Sequence, residues 1–133
     1  MDSKIEKFLA AKAFGVVGAS TNREKYGNKV LRCYLQSGRK AVPVNPKEKV
    51  VEGLAAVAEV KDLPAEVEAI SIITPPAVTE QVVEAAIARG IKHIWMQPGA
   101  ESEWAVSYAE AAGLNVIGDG SCLLVALGYS EHG

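Results

Sequence analysis

The stretch AFGVVGAS, residues 13–20, begins with a short apolar run that ends at Gly18. The small residues Ala19 and Ser20 follow it. An apolar run without polar alternation is typical of a strand that is buried on both faces of a sheet. Short and mainly apolar segments predict further strands at 40–44, 69–73, 93–96 and 115–118. The first strand is predicted to cover 13–18. Together, the five strands indicate a buried and mainly parallel sheet.

In the segments between these strands, the apolar residues have the spacing of a helix. A capping box formed by Ser3 and Glu6 predicts an N-terminal helix, and Gly90 ends a helix that begins near Pro76. Strands that alternate with helices along the chain predict an α/β fold, with a doubly wound, mainly parallel sheet and helices on both faces. The length fits one domain over residues 1–133.

Composition excludes several classes of protein. The net charge of −2 argues against a general nucleic-acid binder, which is usually basic. No apolar run approaches the roughly 18 residues that a membrane span needs, and no signal-peptide core follows the charged N-terminus. Two cysteines, Cys33 and Cys122, are too few for a disulfide scaffold. We therefore expect a cytoplasmic protein with neither a nucleic-acid nor a membrane partner.

The loop after the first strand is predicted to bind phosphate. In doubly wound sheets, ligands bind beyond the carboxyl ends of the strands, at the point where the strand order reverses. This loop combines a glycine, small residues, polar donors and cations ahead of a helix N-terminus, which attracts anions. Its candidate binding residues are Gly18, Ala19, Ser20, Thr21, Asn22, Arg23 and Lys25. The alternative interpretation is a plain strand-to-helix turn beneath a solvated charged loop.

The loop after the second strand indicates the class of cofactor. An NAD site normally carries Asp or Glu near the end of this strand, where it binds the ribose diol. Here the candidate residues are Val44, Asn45, Pro46 and Lys47, and a lysine suits an extra ribose phosphate. The cofactors that carry such a phosphate are NADP and coenzyme A. An ordinary surface lysine remains the alternative for Lys47.

Two further loops complete the predicted site. Ile73, Thr74, Pro75 and Pro76 follow the third main strand. The two prolines predict a flat apolar wall for an adenine or a pantetheine arm, and they are also suited to starting a helix. Gln97 follows the fourth main strand and is a candidate to hydrogen-bond the amides of a pantetheine chain.

Candidate catalytic groups are few. His93 begins a strand and is more typical of a structural histidine, and His132 lies near the end of the chain. Cys122 is either a small core residue or a thiol beside a bound thiol cofactor, where oxidation would permit a mixed disulfide. The sequence has no visible nucleophile–base pair and no metal-ligand spacing, so we expect neither a catalytic nor a metal site.

The four loops together resemble the stand-alone CoA-binding proteins of bacteria and archaea, a Rossmann-like family. They are also similar to the N-terminal CoA-binding domain of the succinyl-CoA synthetase α subunit. The motifs that carry the resemblance are VGAS at 17–20, VNPK at 44–47, ITPP at 73–76 and QPG at 97–99. The resemblance runs from about residue 5 to residue 123.

This resemblance implies a single Rossmann-like domain whose ligand is coenzyme A or an acyl-CoA. It implies that Ser20 to Arg23 contact the CoA phosphates, that Lys47 meets the 3′-phosphoadenosine end, and that Ile73 to Pro75 line the groove. The ligases that share this domain carry a phosphorylated histidine in a second domain, which these 133 residues do not show. We therefore expect binding without evident catalysis.

An NADP-binding oxidoreductase or an NAD(P) redox sensor is the alternative function. The same fold and Lys47 permit it, although the first loop lacks the third glycine of the dinucleotide fingerprint. A homo-oligomer and an unidentified protein partner both stay open at this point.

Overall fold

The computed structural model describes residues 2–131 and confirms each predicted main strand to within one residue. The helices are α1 (Ser3–Leu9), α2 (Tyr26–Gln36), α3 (Pro76–Arg89), α4 (Glu103–Ala111) and α5 (Leu123–Ala126), and Val60–Asp62 forms a 3₁₀ turn. The strands are β1 (Ala13–Val17), β2 (Lys40–Val44), β3 (Val50–Val51), β4 (Leu54–Ala55), β5 (Ala69–Ile72), β6 (His93–Met96) and β7 (Asn115–Ile117).

The main sheet has five parallel strands in the order β2-β1-β5-β6-β7. The chain passes from β1 outward to β2 and then returns across β1 to β5, so the strand order reverses between β1 and β5. Gly15 of β1 pairs with Val42 on one side and with Ile70 on the other. The predicted doubly wound sheet is confirmed, and its reversal point is where such sheets bind ligands.

Different helices cover the two faces of the sheet, as predicted. On one face α1, α2 and α5 surround a cluster that includes the fully buried Phe8, Tyr34 and Trp95. On the other face α3 and α4 pack against aliphatic and alanine side chains. Trp95 donates its indole N–H to the Ser121 carbonyl at 2.9 Å, which ties β6 to the segment that precedes α5.

The predicted cap of the first helix is wrong by one residue. Asp2 is the N-cap of α1, and its Oδ1 accepts the Lys4 backbone N–H at 2.7 Å. Ser3 therefore lies inside the helix, because the carboxylate ahead of it already accepts the N–H that a capping hydroxyl would take.

The segment between β2 and β5 contains structure that the sequence did not indicate. There β3 and β4 form a short antiparallel hairpin. Its turn residues Glu52 and Gly53 have φ values of 49° and 77°, the backbone geometry of a two-residue hairpin turn. The short helix α5 also has no counterpart in the prediction. No helix within residues 2–131 is long and apolar enough to cross a membrane.

Candidate functional site: a cleft at the carboxyl edge of the sheet

A cleft of about 780 Å³ opens beside the reversal point between β1 and β5. It is lined by the segments that follow β1, β2 and β5 and by one face of α3. Its volume falls in the range typical of sites for small molecules and cofactors. The fold therefore places a ligand-sized cavity at the edge of the sheet where parallel α/β proteins bind ligands.

Nine of the sixteen residues predicted to bind the ligand line this cleft. They are Gly18, Ala19, Ser20, Lys25, Val44, Asn45, Pro46, Ile73 and Thr74. The seven that do not line it are Thr21, Asn22, Arg23, Lys47, Pro75, Pro76 and Gln97. The first group comes from three loops that are far apart in sequence, and the fold brings those loops together.

Backbone packs directly on backbone at one corner of the cleft. Gly18 has a φ of 95°, and a Cβ atom there would lie 2.1 Å from the Ile73 carbonyl oxygen. A Cβ atom on Gly27, in the first turn of α2, would lie 2.0 Å from the Gly18 carbonyl oxygen. Both distances are far inside van der Waals contact, so these positions suit glycine alone. The corner brings the N-terminus of α2 directly against the ends of β1 and β5.

Two asparagine side chains hold the loops around this corner. Asn45 Nδ2 donates to the Ala19 carbonyl at 2.7 Å, and Asn28 Nδ2 donates to the Ser20 carbonyl at 2.7 Å. Asn45 Oδ1 also accepts the Lys47 backbone N–H at 2.8 Å. The amide of Asn45 therefore shapes the loop after β2 and lines the cleft at the same time.

The N-terminus of α2 gives the cleft an anion-attracting end. Lys25 is the N-cap of this helix and makes no side-chain capping hydrogen bond. The first N–H groups of a helix have no partner within it and carry a partial positive charge. Ser20, Lys25, Tyr26 and Gly27 all line the cleft at this end. The arrangement is suited to a phosphate group.

The sequence prediction missed the wall of the cleft along α3. The residues of this wall are Val78, Gln81, Val82 and Ala85. Their spacing of three and four residues places them on one face of the helix, beside the core-facing Thr79, Val83 and Ala86. This second stripe is the sequence signal that could have revealed the wall. Tyr26, Gly27 and the segment 58–60 also line the cleft and were likewise not predicted.

The cations predicted for the site divide between the cleft and its surroundings. Lys25 lines the cleft, whereas Arg23 forms a salt bridge with Glu52 at 3.2 Å, and Lys47 is exposed. Hydrogen bonds from Asn28 and then from Arg23 hold the pKa of the Glu52 carboxyl below its ordinary value. Of the three predicted cations, Lys25 alone lines the cleft.

Gln97 lies in the core rather than in the cleft. Its side chain is fully buried, and its Oε1 accepts the Tyr26 hydroxyl at 3.1 Å and the Leu123 backbone N–H at 2.9 Å. The start of α5 therefore closes over it. Tyr26 lines the cleft, and its hydroxyl also contacts Cys122 Sγ at 2.6 Å. Burial, followed by the contact with Cys122, raises the pKa of Tyr26.

The histidine of β6 has the surroundings of a structural residue. His93 Nδ1 lies 3.1 Å from Asn115 Nδ2, and its ring meets Phe8 edge to face with 6.4 Å between the centroids. Burial lowers the pKa of His93. Within residues 2–131, no group of three or more His, Cys, Asp and Glu side chains is placed to hold a metal ion. His132 lies outside the described residues.

The reversal-point cleft and the five-stranded sheet define a Rossmann-like α/β domain. The family model described as the CoA binding domain matches residues 12–127. The chain belongs to the CoA binding domain family.

Two solved structures resemble most of the described fold. A conserved hypothetical protein from Pyrococcus furiosus is 40% identical, with a TM-score of 0.81 over 87% of this chain and 98% of that chain. A hypothetical protein from Pyrococcus horikoshii is 31% identical, with a TM-score of 0.85 over 92% of this chain and 85% of that chain. The fold thus also occurs in chains of similar size.

The same fold occurs within longer proteins. The acetate–CoA ligase (ADP-forming) II subunit alpha of Pyrococcus furiosus is 30% identical over 91 residues, which are 68% of this chain and 20% of that protein. The dinucleotide-forming acetyl-coenzyme A synthetase 1 of Candidatus Korarchaeum cryptofilum, solved with phosphate and ADP, is 29% identical, with a TM-score of 0.73 over 82% of this chain and 26% of that chain. The chain spans about a fifth of the length of this curated relative. These comparisons give no support to the NADP alternative.

Proposed function

We propose that the cleft binds coenzyme A or an acyl-CoA, and that residues 1–133 act as one CoA-binding domain without catalytic chemistry of their own. The observation that carries the proposal is the cleft at the reversal point, which joins an anion-attracting helix end to an apolar wall. Membership of the CoA binding domain family supports the same ligand. We expect a cytoplasmic location, where thiols stay reduced, because both cysteines are free.

The two ends of the cleft suit the two kinds of surface that CoA presents. Ser20, Lys25 and the N-terminus of α2 would hold the diphosphate through hydrogen bonds and charge. Val78 and Val82 on α3 would pack against the apolar faces of the nucleotide or the pantetheine arm. An anionic ligand with a long, partly apolar arm uses both ends, whereas inorganic phosphate would use only the first.

Calorimetric titration of the purified chain with CoA and with an acyl-CoA tests the proposal directly. We expect saturable binding of one ligand per chain. Failure of both ligands to bind below millimolar concentration would sink the proposal. NADPH, titrated under the same conditions, is expected to remain silent.

The substitution Val78→Glu tests the apolar wall. Val78 is 41% exposed, so the fold should tolerate the change, but a carboxylate would be desolvated against the ligand. We expect CoA affinity to fall by roughly tenfold or more, since a factor of ten corresponds to only about 1.4 kcal/mol. Val125→Glu is the matched control, because Val125 is 81% exposed and does not line the cleft. Equal losses in both variants would contradict a wall at Val78.

The role predicted for Lys47 needs its own test. Its side chain is exposed and does not line the cleft, so we propose that it reaches the 3′-phosphate only as a mobile cation at the rim. Removing such a charge-assisted contact costs on the order of 1.5–3 kcal/mol. CoA should therefore bind more tightly than 3′-dephospho-CoA, and Lys47→Gln should abolish the difference. Equal affinities for the two ligands would end this role while leaving the cleft proposal intact.

Five further residues that were predicted to bind the ligand do not line the cleft, and their contact with CoA stays a prediction. They are Thr21, Asn22, Arg23, Pro75 and Pro76. We propose that the first three approach the diphosphate from the solvent side of the loop after β1.

A further inference from the structure

A second, shallower cavity of about 550 Å³ lies outside the cleft. It is lined by Arg23, Glu24, Lys29, Arg32 and Glu131. It therefore joins two residues of α2, the loop that precedes α2, and the chain beyond α5. The loop after β1 lies between the two cavities, because Ser20 and Lys25 line the cleft while Arg23 lines the second cavity.

Arg32 is held rigidly at this cavity. Its side chain is only 11% exposed. Its Nε donates to Asn28 Oδ1 at 2.7 Å, and its Nη2 donates to the Arg23 carbonyl at 2.8 Å. The remaining nitrogen, Nη1, donates to Glu131 Oε2 at 3.4 Å. The protein thus fixes the guanidinium in place and directs one of its edges at an anion.

A carboxylate from the end of the chain fills this position. Lys29 Nζ lies 3.1 Å from Glu131 Oε1, so two cations face a single carboxylate. The Tyr129 hydroxyl donates to Glu131 Oε2 at 3.3 Å, and the Arg32 guanidinium lies over the Tyr129 ring at 5.7 Å from its centroid. The hydrogen bond from Lys29 is the largest cause of the lowered pKa of Glu131. This contact lies beyond residue 127, where the family match ends.

We propose that Lys29 and Arg32 form a site for a phosphate group, which the Glu131 carboxylate fills in the structure and from which a phosphate displaces it. A phosphate monoester carries about −1.5 to −2 charges near neutral pH, against −1 for a carboxylate, and it matches two cations better. Arg32 Nη1 and the Lys29 ammonium group, which face Glu131 in the structure, can each donate a charge-assisted hydrogen bond to a phosphate oxygen. The site stands independently of whether the cleft binds CoA.

The segment Tyr129–Glu131 thereby acts as an internal competitor for the phosphate. Gln36 holds this segment from the other side, since its Oε1 accepts the Ser130 backbone N–H at 3.3 Å. Because Arg32 also binds the Arg23 carbonyl, exchange of Glu131 for phosphate occurs one hydrogen bond away from the loop that lines the cleft. Free inorganic phosphate and a phosphate group of a nucleotide present the same chemistry to Lys29 and Arg32.

The experiment is a phosphate titration of the full chain followed by NMR. The signal is the Nε–Hε resonance of Arg32, and sodium chloride keeps the ionic strength constant while inorganic phosphate rises. We expect the resonance to shift and saturate. Glu131→Gln should tighten phosphate binding and Lys29→Gln should weaken it, each by roughly two- to fivefold, the range that a half-exposed ion pair supports.

The salt bridge between Lys40 and Glu66 supplies matched controls, because it joins the same residue types on an exposed part of the surface. Lys40→Gln and Glu66→Gln should leave the phosphate titration unchanged. Parallel titrations with CoA and 3′-dephospho-CoA identify the source of the phosphate. A shift caused by inorganic phosphate assigns free phosphate, and a shift caused only by the CoA compounds assigns a phosphate group of the nucleotide. The proposal is overturned if no phosphate compound moves the Arg32 resonance, or if Glu131→Gln and Lys29→Gln titrate like the parent chain.

Discussion

The substitution Gly27→Ala tests whether the close approach of α2 to the loop after β1 builds the cleft. The alanine Cβ would lie 2.0 Å from the Gly18 carbonyl oxygen and 3.0 Å from the Gly18 carbonyl carbon. Ordinary van der Waals contact requires a separation well above 3 Å, so α2 must retreat by about 1 Å or more. The obstacle is backbone on both sides and cannot turn aside as a flexible side chain would.

Two opposing effects set the change in stability. Alanine is a better helix former than glycine by about 1 kcal/mol in a helix interior, and somewhat less is expected in the first turn. Overpacking typically costs about 1–3 kcal/mol, and the upper part of that range applies where the neighbour is a carbonyl. The steric cost therefore exceeds the gain in helix propensity. We expect the free energy of unfolding to fall by roughly 1–2 kcal/mol.

Urea denaturation measures the stability, and calorimetric titration measures CoA affinity. We expect the affinity to fall by about tenfold or more, because the N-terminus of α2 has moved away from the phosphate site. Gly118→Ala is the control. Its Cβ would meet the Val106 Cγ2 methyl group at 2.8 Å, and Gly118 does not line the cleft. This variant loses stability but keeps its CoA affinity. A Gly27→Ala variant with parental stability and parental affinity would refute the reasoning.

Three further predictions concern the core and its pH dependence. Tyr34→Phe removes a buried hydrogen bond of 2.6 Å to Ser71 and should lower the free energy of unfolding by about 0.5–1.5 kcal/mol in urea denaturation. Arg89→Met removes guanidinium hydrogen bonds to carbonyls in residues 63–67, and should cost on the order of 1–3 kcal/mol and speed amide exchange in that segment. Burial lowers the pKa of His93 in the folded state, so stability should be constant above the ordinary value of 6.5 and decline as the pH falls below it.

Each of these predictions has a control. Phenylalanine retains the ring of Tyr34 and its stacking on Phe14 at 4.7 Å, so an unchanged stability would show that the hydroxyl contributes nothing. Lys92→Met, at an exposed lysine, is the comparison for Arg89→Met. Equal losses of stability would show that the hydrogen bonds from Arg89 to residues 63–67 contribute nothing specific. His93→Asn should remove the decline in stability below pH 6.5, and a decline that persists in this variant must come from another group.

The main sheet could be predicted from the sequence because its evidence is local. Each main strand is a short and mainly apolar segment, and the Pro76 and Gly90 signals mark the ends of α3. The hairpin β3–β4 could not be found in this way. Its strands have only two residues each, and its turn carries Glu52 rather than the Asn or Asp that usually precedes Gly in such turns.

Nine of the predicted residues line one cleft and seven do not, for a related reason. The ends of parallel strands meet at one edge, so the loops at Gly18, Asn45 and Thr74 converge. The position of Gln97 depends on α5, a four-residue helix from the far end of the chain that closes over its amide. Short helices held by distant contacts leave little periodicity in a sequence, and their effects on neighbouring side chains are not visible there.

The indole hydrogen bond of Trp95 gives the molecule a built-in optical signal. Trp95 is fully buried and bound to the carbonyl just before Cys122, whereas Trp104 is 45% exposed and stacks on Tyr108 at 4.7 Å. The two indoles therefore differ in polarity of surroundings and in access to a collisional quencher. Acrylamide should quench Trp104 emission first. Detachment of the segment that carries Cys122 should shift the emission of Trp95 to the red, so fluorescence alone can separate loosening of α5 from events at the surface of α4.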